Sequence, residues 1–277
     1  MQGDFENVSR EASRPQLETL VSHTPPQPPA PSRAPREIWT LRDLLLFVAF
    51  LPVAFLAADV LAFTAYAALR PFAGWHASTN LLAKSTIFGL ILQSLLYLFV
   101  LGYLFLLAKL LHHQPFWKSL GWKRPNLGQI LGCMVGGGLL AIVVSVAPPL
   151  LPDAKQFPLE QLFNSTAASY AIGVFAISIA PVIEEVVFRG LLFAVFERAL
   201  GLRLAVACTA VLFAGLHVPE YWHAWNHMLM ILIAGLVFSL ARGVSGTLTP
   251  SVFLHVGYNS LIMTGIFFST HHFRALN

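Results

Sequence analysis

A chain of 277 residues that is 56% hydrophobic and only 11% charged, with a mean hydropathy of +0.69, is too apolar and too poor in charge for an ordinary soluble domain. Its net charge of +4 comes from Lys and Arg scattered between apolar runs, never five or more together, so nucleic acid is excluded as a partner and the charge reads as membrane topology. The two cysteines, Cys133 and Cys208, fit no CxxC or Cys/His ligand pattern and are expected to be small core residues.

In chain order, residues 1–40 form a polar tail that carries Pro25-Pro26-Gln27-Pro28-Pro29-Ala30-Pro31. This composition cannot bury a core, and a disordered segment is expected there. The tail has no apolar stretch followed by a small-residue cleavage site, so the first apolar span is expected to stay in the membrane as an anchor. Residues 41–272 then read as one all-α, polytopic transmembrane helical bundle. About seven apolar spans, with six to eight as the range, lie near 44–69, 86–111, 128–151, 168–196, 203–219, 226–242 and 247–269. Barrel strands would be segments of about ten alternating residues, which the sequence lacks.

Placing the N-terminus in the cytoplasm puts Arg42, Lys109, Lys118, Lys123, Arg124, Arg198, Arg203 and Arg242 inside, leaving Arg70, Lys84, Lys155 and Arg274 outside. The expected location is the cell (plasma) membrane, with the lipid bilayer as solvent. In the third span Gly128, Gly132 and Gly136, followed by Gly137 and Gly138, predict close approach of another helix backbone. Pro148, Pro149 and Pro152 are expected to end that span, and Asp59 in the first span to hydrogen-bond to a neighbouring helix.

The fourth span contains Glu184, Glu185 and Arg189 within an apolar run. Each charge near the bilayer centre costs about 2.5–3.5 kcal/mol on insertion scales, so the three read as a functional site with partners. Four residues apart on a helix, Glu185 and Arg189 share a face and are expected to form an ion pair. Glu184 is then left without a local cation and is the better candidate for a general base, while Pro181 is expected to kink the helix above it.

Two further spans offer partners: Phe213 and His217 in the fifth, His255 and Asn259 in the seventh. Glu184 lies 14 residues before Arg198, His217 lies 14 after Arg203 and His255 lies 13 after Arg242. At about 1.5 Å per residue these depths are similar and the side chains can converge. As a hydrolase, Glu184 with His217 would activate a water, while His255 and Asn259 would donate to the oxyanion. A zinc site with Glu184, His217 and His255 as ligands is the alternative, and without HExxH the spacing leaves the metal question open. His223 and His227 are assigned to an interfacial belt with Tyr221, Trp222 and Trp225, and Glu220 to solvent. His112-His113 and His271-His272 are read as interfacial too.

Glu184-Glu185-x-x-x-Arg189, Phe213-x-x-x-His217 and His255-x-x-x-Asn259, in this order on separate helices, resemble the motifs of the CAAX protease and bacteriocin-processing (CPBP, or Abi) intramembrane endopeptidases. The resemblance covers about residues 165–262 and includes Phe188-Arg189-Gly190 and Ser245-Gly246-Thr247-Leu248. It implies an intramembrane endopeptidase acting on a membrane-associated protein or peptide. Glu184, His217, His255 and Asn259 would be catalytic, and Glu185, Arg189 and Phe213 supporting. The family is classed as metalloprotease, yet a glutamate-dependent mechanism has also been argued for it, so zinc or no cofactor both stand. A proton- or ion-coupled transporter and a non-catalytic scaffold are the readings from other classes.

Overall fold

The computed structural model describes residues 38–146, 165–219, 221–222 and 224–273. The proline-rich tail, Pro148, Pro149, Pro152, Lys155, Glu220, His223 and Arg274 lie outside the described residues.

Among the described residues every regular element is a helix: α1 (Leu41–Ala73), α2 (Thr79–Ala83), α3 (Thr86–Leu106), α4 (Phe116–Ser119), α5 (Leu127–Val146), α6 (Thr166–Ser178), α7 (Ala180–Glu185), α8 (Phe193–Leu200), α9 (Leu202–Leu216), α10 (Trp225–Ser245) and α11 (Thr249–Ser269). A π-helical turn, Leu107–Leu111, extends α3, and another, Val186–Leu192, joins α7 to α8. In lipid each backbone polar group must be satisfied within its own segment, which helices achieve and open strands do not. The starts obey capping chemistry. Thr40 closes a capping box with Asp43, and Ser85 and Ser165 accept from the backbone N–H three residues on.

Among the described residues, six helical stretches are long and apolar enough to cross a membrane: Leu41–Ala73, Thr86–Leu111, Leu127–Val146, Thr166–Leu200, Trp225–Ser245 and Thr249–Ser269. The expected fifth span is α9, which has only 15 residues. At about 1.5 Å per residue it is shorter than a hydrocarbon core of about 30 Å, and shorter than the other six stretches.

Helix ends and close backbone contacts set the arrangement. Trp39 donates from Nε1 to the Ser119 carbonyl over 2.8 Å, and the buried Asp43 meets His112 Nε2 at 3.1 Å, tying the start of α1 to α4 and to the end of the π turn that extends α3. His112, expected at the interface, is half-buried against Asp43. Between α10 and α11 the chain turns on Gly246 in the left-handed region (φ 64°), where a side chain would be strained. α5 and α11 touch backbone to backbone, because a Cβ on Gly137 would overlap the Leu254 carbonyl and one on Gly257 would overlap Met134. The expected close approach is present at Gly137, with Gly136 of the four-residue stripe against the Leu254 side chain, while Gly132 has nothing near its Cβ position.

One apolar cluster joins α1 and α3 to the later helices through Phe47, Val100, Leu104, Leu120, Leu191 and Phe213. Elsewhere large apolar side chains such as Phe55, Leu98, Val143 and Val174 face outward, the inverse of a soluble surface and the pattern a lipid solvent requires. Asp59 is half-buried, with no side-chain hydrogen bond to a neighbouring helix among the described residues, contrary to expectation. Cys133 and Cys208 are free thiols, half-buried rather than in the core.

Candidate active site

The long stretch Thr166–Leu200 is interrupted where the sequence predicts. Pro181 has no N–H to give, and α6 yields to α7 at Ile179, whose own N–H bonds back to Phe175. Immediately below Glu185 the coil widens into the π turn Val186–Leu192, an irregularity that recurs at functional sites. Its closing bond runs from the Phe193 N–H to the Phe188 carbonyl. In an α-helix that N–H would serve Arg189, whose carbonyl here accepts from Arg242 Nε at 3.0 Å.

Arg189 is fully buried, and each of its three nitrogens donates to a partner on one of two helices. Nη1 donates to Glu185 Oε1 at 2.8 Å, Nη2 to the Gly235 carbonyl at 2.8 Å and Nε to Ser239 Oγ at 3.2 Å. The guanidinium carbon also lies 4.6 Å from the centre of the Phe213 ring, a cation–π contact away from water. The expected Glu185–Arg189 pair is present with both side chains at 0% exposure. Burial of a charge is tolerated only with such compensation.

Glu185 has a second task. Its Oε1 accepts from His255 Nδ1 at 2.9 Å. A carboxylate paired with a guanidinium only accepts, so the proton sits on Nδ1 and His255 presents Nε2 to the site. Phe238 stacks on the imidazole with ring centres 4.7 Å apart, fixing its plane. Nε2 then lies 3.8 Å from Glu184 Oε2. That separation is too long for a direct hydrogen bond and suits a shared water. Glu184 is thus less isolated than its sequence neighbours imply, since Tyr97 Oη on α3 also donates to its Oε1 over 3.4 Å.

His217 forms the C-cap of α9, with Nδ1 donating to the Phe213 carbonyl at 2.9 Å and Nε2 left for other work. Phe213 is the spacer of the site. Its ring centre is 4.9 Å from that of His217 and 5.7 Å from that of His255. Asn259, one turn beyond His255 on α11, spends one amide N–H on the Ala176 carbonyl at 2.8 Å, which ties α11 to α6 and leaves its second N–H. Glu184, Glu185, Arg189 and His255 are in one connected group, while His217 and Asn259 flank it through Phe213 and Ala176.

Among the described residues no three His, Cys, Asp or Glu side chains are grouped closely enough to hold a metal ion. The zinc arrangement of Glu184, His217 and His255 is not assembled in this geometry.

Four participants were not singled out from the sequence: Tyr97, Gly235, Ser239 and Arg242. Arg242, expected only on the cytoplasmic side, is 2% exposed, lies over the Phe193 ring and supports the Arg189 backbone. Its place at the end of an apolar span gives no sign of burial. His227 stacks on Tyr221 and contacts Asn226 Oδ1 at 3.2 Å, away from the connected group.

Residues 166–261 match the family model described as Rce1-like, Type II CAAX prenyl endopeptidase Rce1-like, consistent with a CPBP-family intramembrane protease. No curated protein and no solved structure matches the chain. The matched segment holds Glu184, Glu185, Arg189, Phe213, His217, His255 and Asn259, and it excludes Tyr97.

Proposed function

We propose that the protein is a CAAX-type intramembrane endopeptidase in which Glu184 activates the water that hydrolyses a peptide bond of a membrane-associated substrate. The observation that carries this reading is the 3.8 Å approach of Glu184 Oε2 to the Nε2 of a His255 held by Glu185. Glu184 takes a proton from water as hydroxide attacks the carbonyl carbon, and the carbonyl π electrons move onto oxygen. The second amide N–H of Asn259 donates to that oxyanion, with His255 beside it, and His217 helps to hold the water. Collapse of the tetrahedral species breaks the C–N bond. The proton on Glu184 passes to the leaving nitrogen, giving a carboxylic acid and an amine, which exchange a proton to become carboxylate and ammonium.

The name of the matched family points to prenylated C-terminal CAAX peptides as the substrate class. A lipidated peptide would reach the site from the bilayer, where a 15-residue α9 leaves water able to enter part of the way. The N-terminus is placed in the cytoplasm on the balance of Lys and Arg.

The test is cleavage of a prenylated reporter peptide by the purified protein in liposomes. Glu184→Gln and His217→Ala are expected to abolish turnover, a loss of at least about 10²–10⁴-fold, while membrane insertion is retained. Unchanged proteolysis in either variant overturns the assignment. Proton-coupled flux without a peptide product would point to a transporter, and a physiological phenotype untouched by Glu184→Gln to a scaffold.

A further inference from the structure

We infer that Tyr97, on a helix outside the matched segment, is a positioning residue that aims the Glu184 carboxylate. The inference rests on the reading of Glu184 as the water-activating base.

The two carboxylate oxygens of Glu184 face different helices. Oε2 approaches His255 of α11 at 3.8 Å, and Oε1 accepts from Tyr97 of α3 at 3.4 Å. A half-buried Glu on a single helix has three rotatable bonds, so partners on two sides are what fix the plane of its carboxylate. The phenol is itself held. Its ring stacks on Phe175 of α6 with centres 5.7 Å apart and planes 14° apart, and its oxygen accepts from Gln93 Nε2 at 3.0 Å.

The donor directions are settled by chemistry. A carboxylate only accepts, so the Tyr97 O–H donates to Glu184, and the phenol lone pair receives the amide N–H of Gln93. Hydrogen bonds aligned in one direction strengthen each other.

Two other polar side chains of α3 are used differently. Ser94 bonds back to the Leu90 carbonyl of its own helix, and Tyr103 stacks on Phe50 of α1. Gln93, four residues before Tyr97, supports the phenol from the same face of α3. Stacking on Phe175 needs only the ring; the hydroxyl answers to Glu184.

Wild type, Tyr97→Phe, Gln93→Leu and Glu184→Gln, all in liposomes with the prenylated reporter peptide, separate the roles. Tyr97→Phe keeps the ring and is expected to lower kcat about 10–100-fold with KM within about twofold, because misplaced reacting groups cost rates of that order. Gln93→Leu is expected to act in the same sense by about 2–5-fold, since it removes one neutral hydrogen bond. A wild-type kcat in Tyr97→Phe, or a raised KM at unchanged kcat, overturns the positioning role.

Independently of turnover, a double-mutant cycle of Tyr97→Phe and Glu184→Ala, which removes the accepting oxygen, is expected to show about 2–10-fold coupling in the unfolding constant on detergent unfolding. Additive effects overturn the Tyr97–Glu184 contact. Equal turnover by wild type and Glu184→Gln, with that coupling present, overturns the hydrolase reading instead.

Discussion

At the scale of single residues, the site depends on an exchange of charge inside the bundle. Arg189 neutralises Glu185, and Glu185 in turn orients His255, so one buried cation governs the geometry of a histidine on another helix. Arg189→Met should therefore destabilise the fold by about 3–5 kcal/mol, because it strands a buried carboxylate. The double variant Arg189→Met/Glu185→Leu should be less destabilised than Arg189→Met, although it too loses the His255 partner. Chemical unfolding of the purified variants in detergent decides this, and a double variant less stable than Arg189→Met would contradict it. The Glu185–Arg189 pair was legible because helical spacing alone makes those side chains meet. Tyr97 and Arg242 were not, since their partners lie 87 and 53 residues away and are brought close only by packing between helices.

At the scale of elements, three irregularities shape the site: the Pro181 break, the π turn below it and the short α9. The break follows directly from a missing N–H and was readable in the sequence. The π turn was not, because it is supported from outside its own helix by Arg242 at the Arg189 carbonyl. The α5–α11 contact shows the same division. Glycines predicted a close crossing, yet only the assembled pair reveals that Gly137 and Gly257 occupy it. Because α11 carries His255, forcing these backbones apart should disturb stability and catalysis together. Gly137→Ala and Gly257→Ala are each expected to cost about 1–3 kcal/mol, the usual range for overpacking, or more where backbone must move. Gly132→Ala meets open space and should lie within about ±0.5 kcal/mol of wild type. Unfolding midpoints and peptide turnover measured on all three variants check the contrast, and equal losses would show that the crossing is looser than described.

At the scale of the whole molecule, the family-like segment does not build the site alone. Its Glu184 leans on Tyr97 of α3, its α11 on Gly137 of α5, and its core side chains Leu191 and Phe213 share a cluster with Phe47, Val100 and Leu104. Motifs spaced along residues 184–259 are enough to recognise the chemistry, because reacting side chains must have particular types. The scaffold before them is specified by apolar surface, which many sequences supply and which carries no motif. A division within residues 147–164 separates these contributions without cutting any described helix. The C-terminal part expressed alone should enter the membrane, since it retains the apolar stretches Thr166–Leu200, Trp225–Ser245 and Thr249–Ser269, but it should not cleave the prenylated reporter. Co-expression with the N-terminal part should restore turnover, because separately inserted transmembrane helices associate through packing and interhelical hydrogen bonds. Restoration by an N-terminal part carrying Tyr97→Phe should be weaker by the same factor as in the intact chain. Full activity of the C-terminal part alone would mean that α1, α3 and α5 are dispensable, and that the base is held by its own half of the molecule.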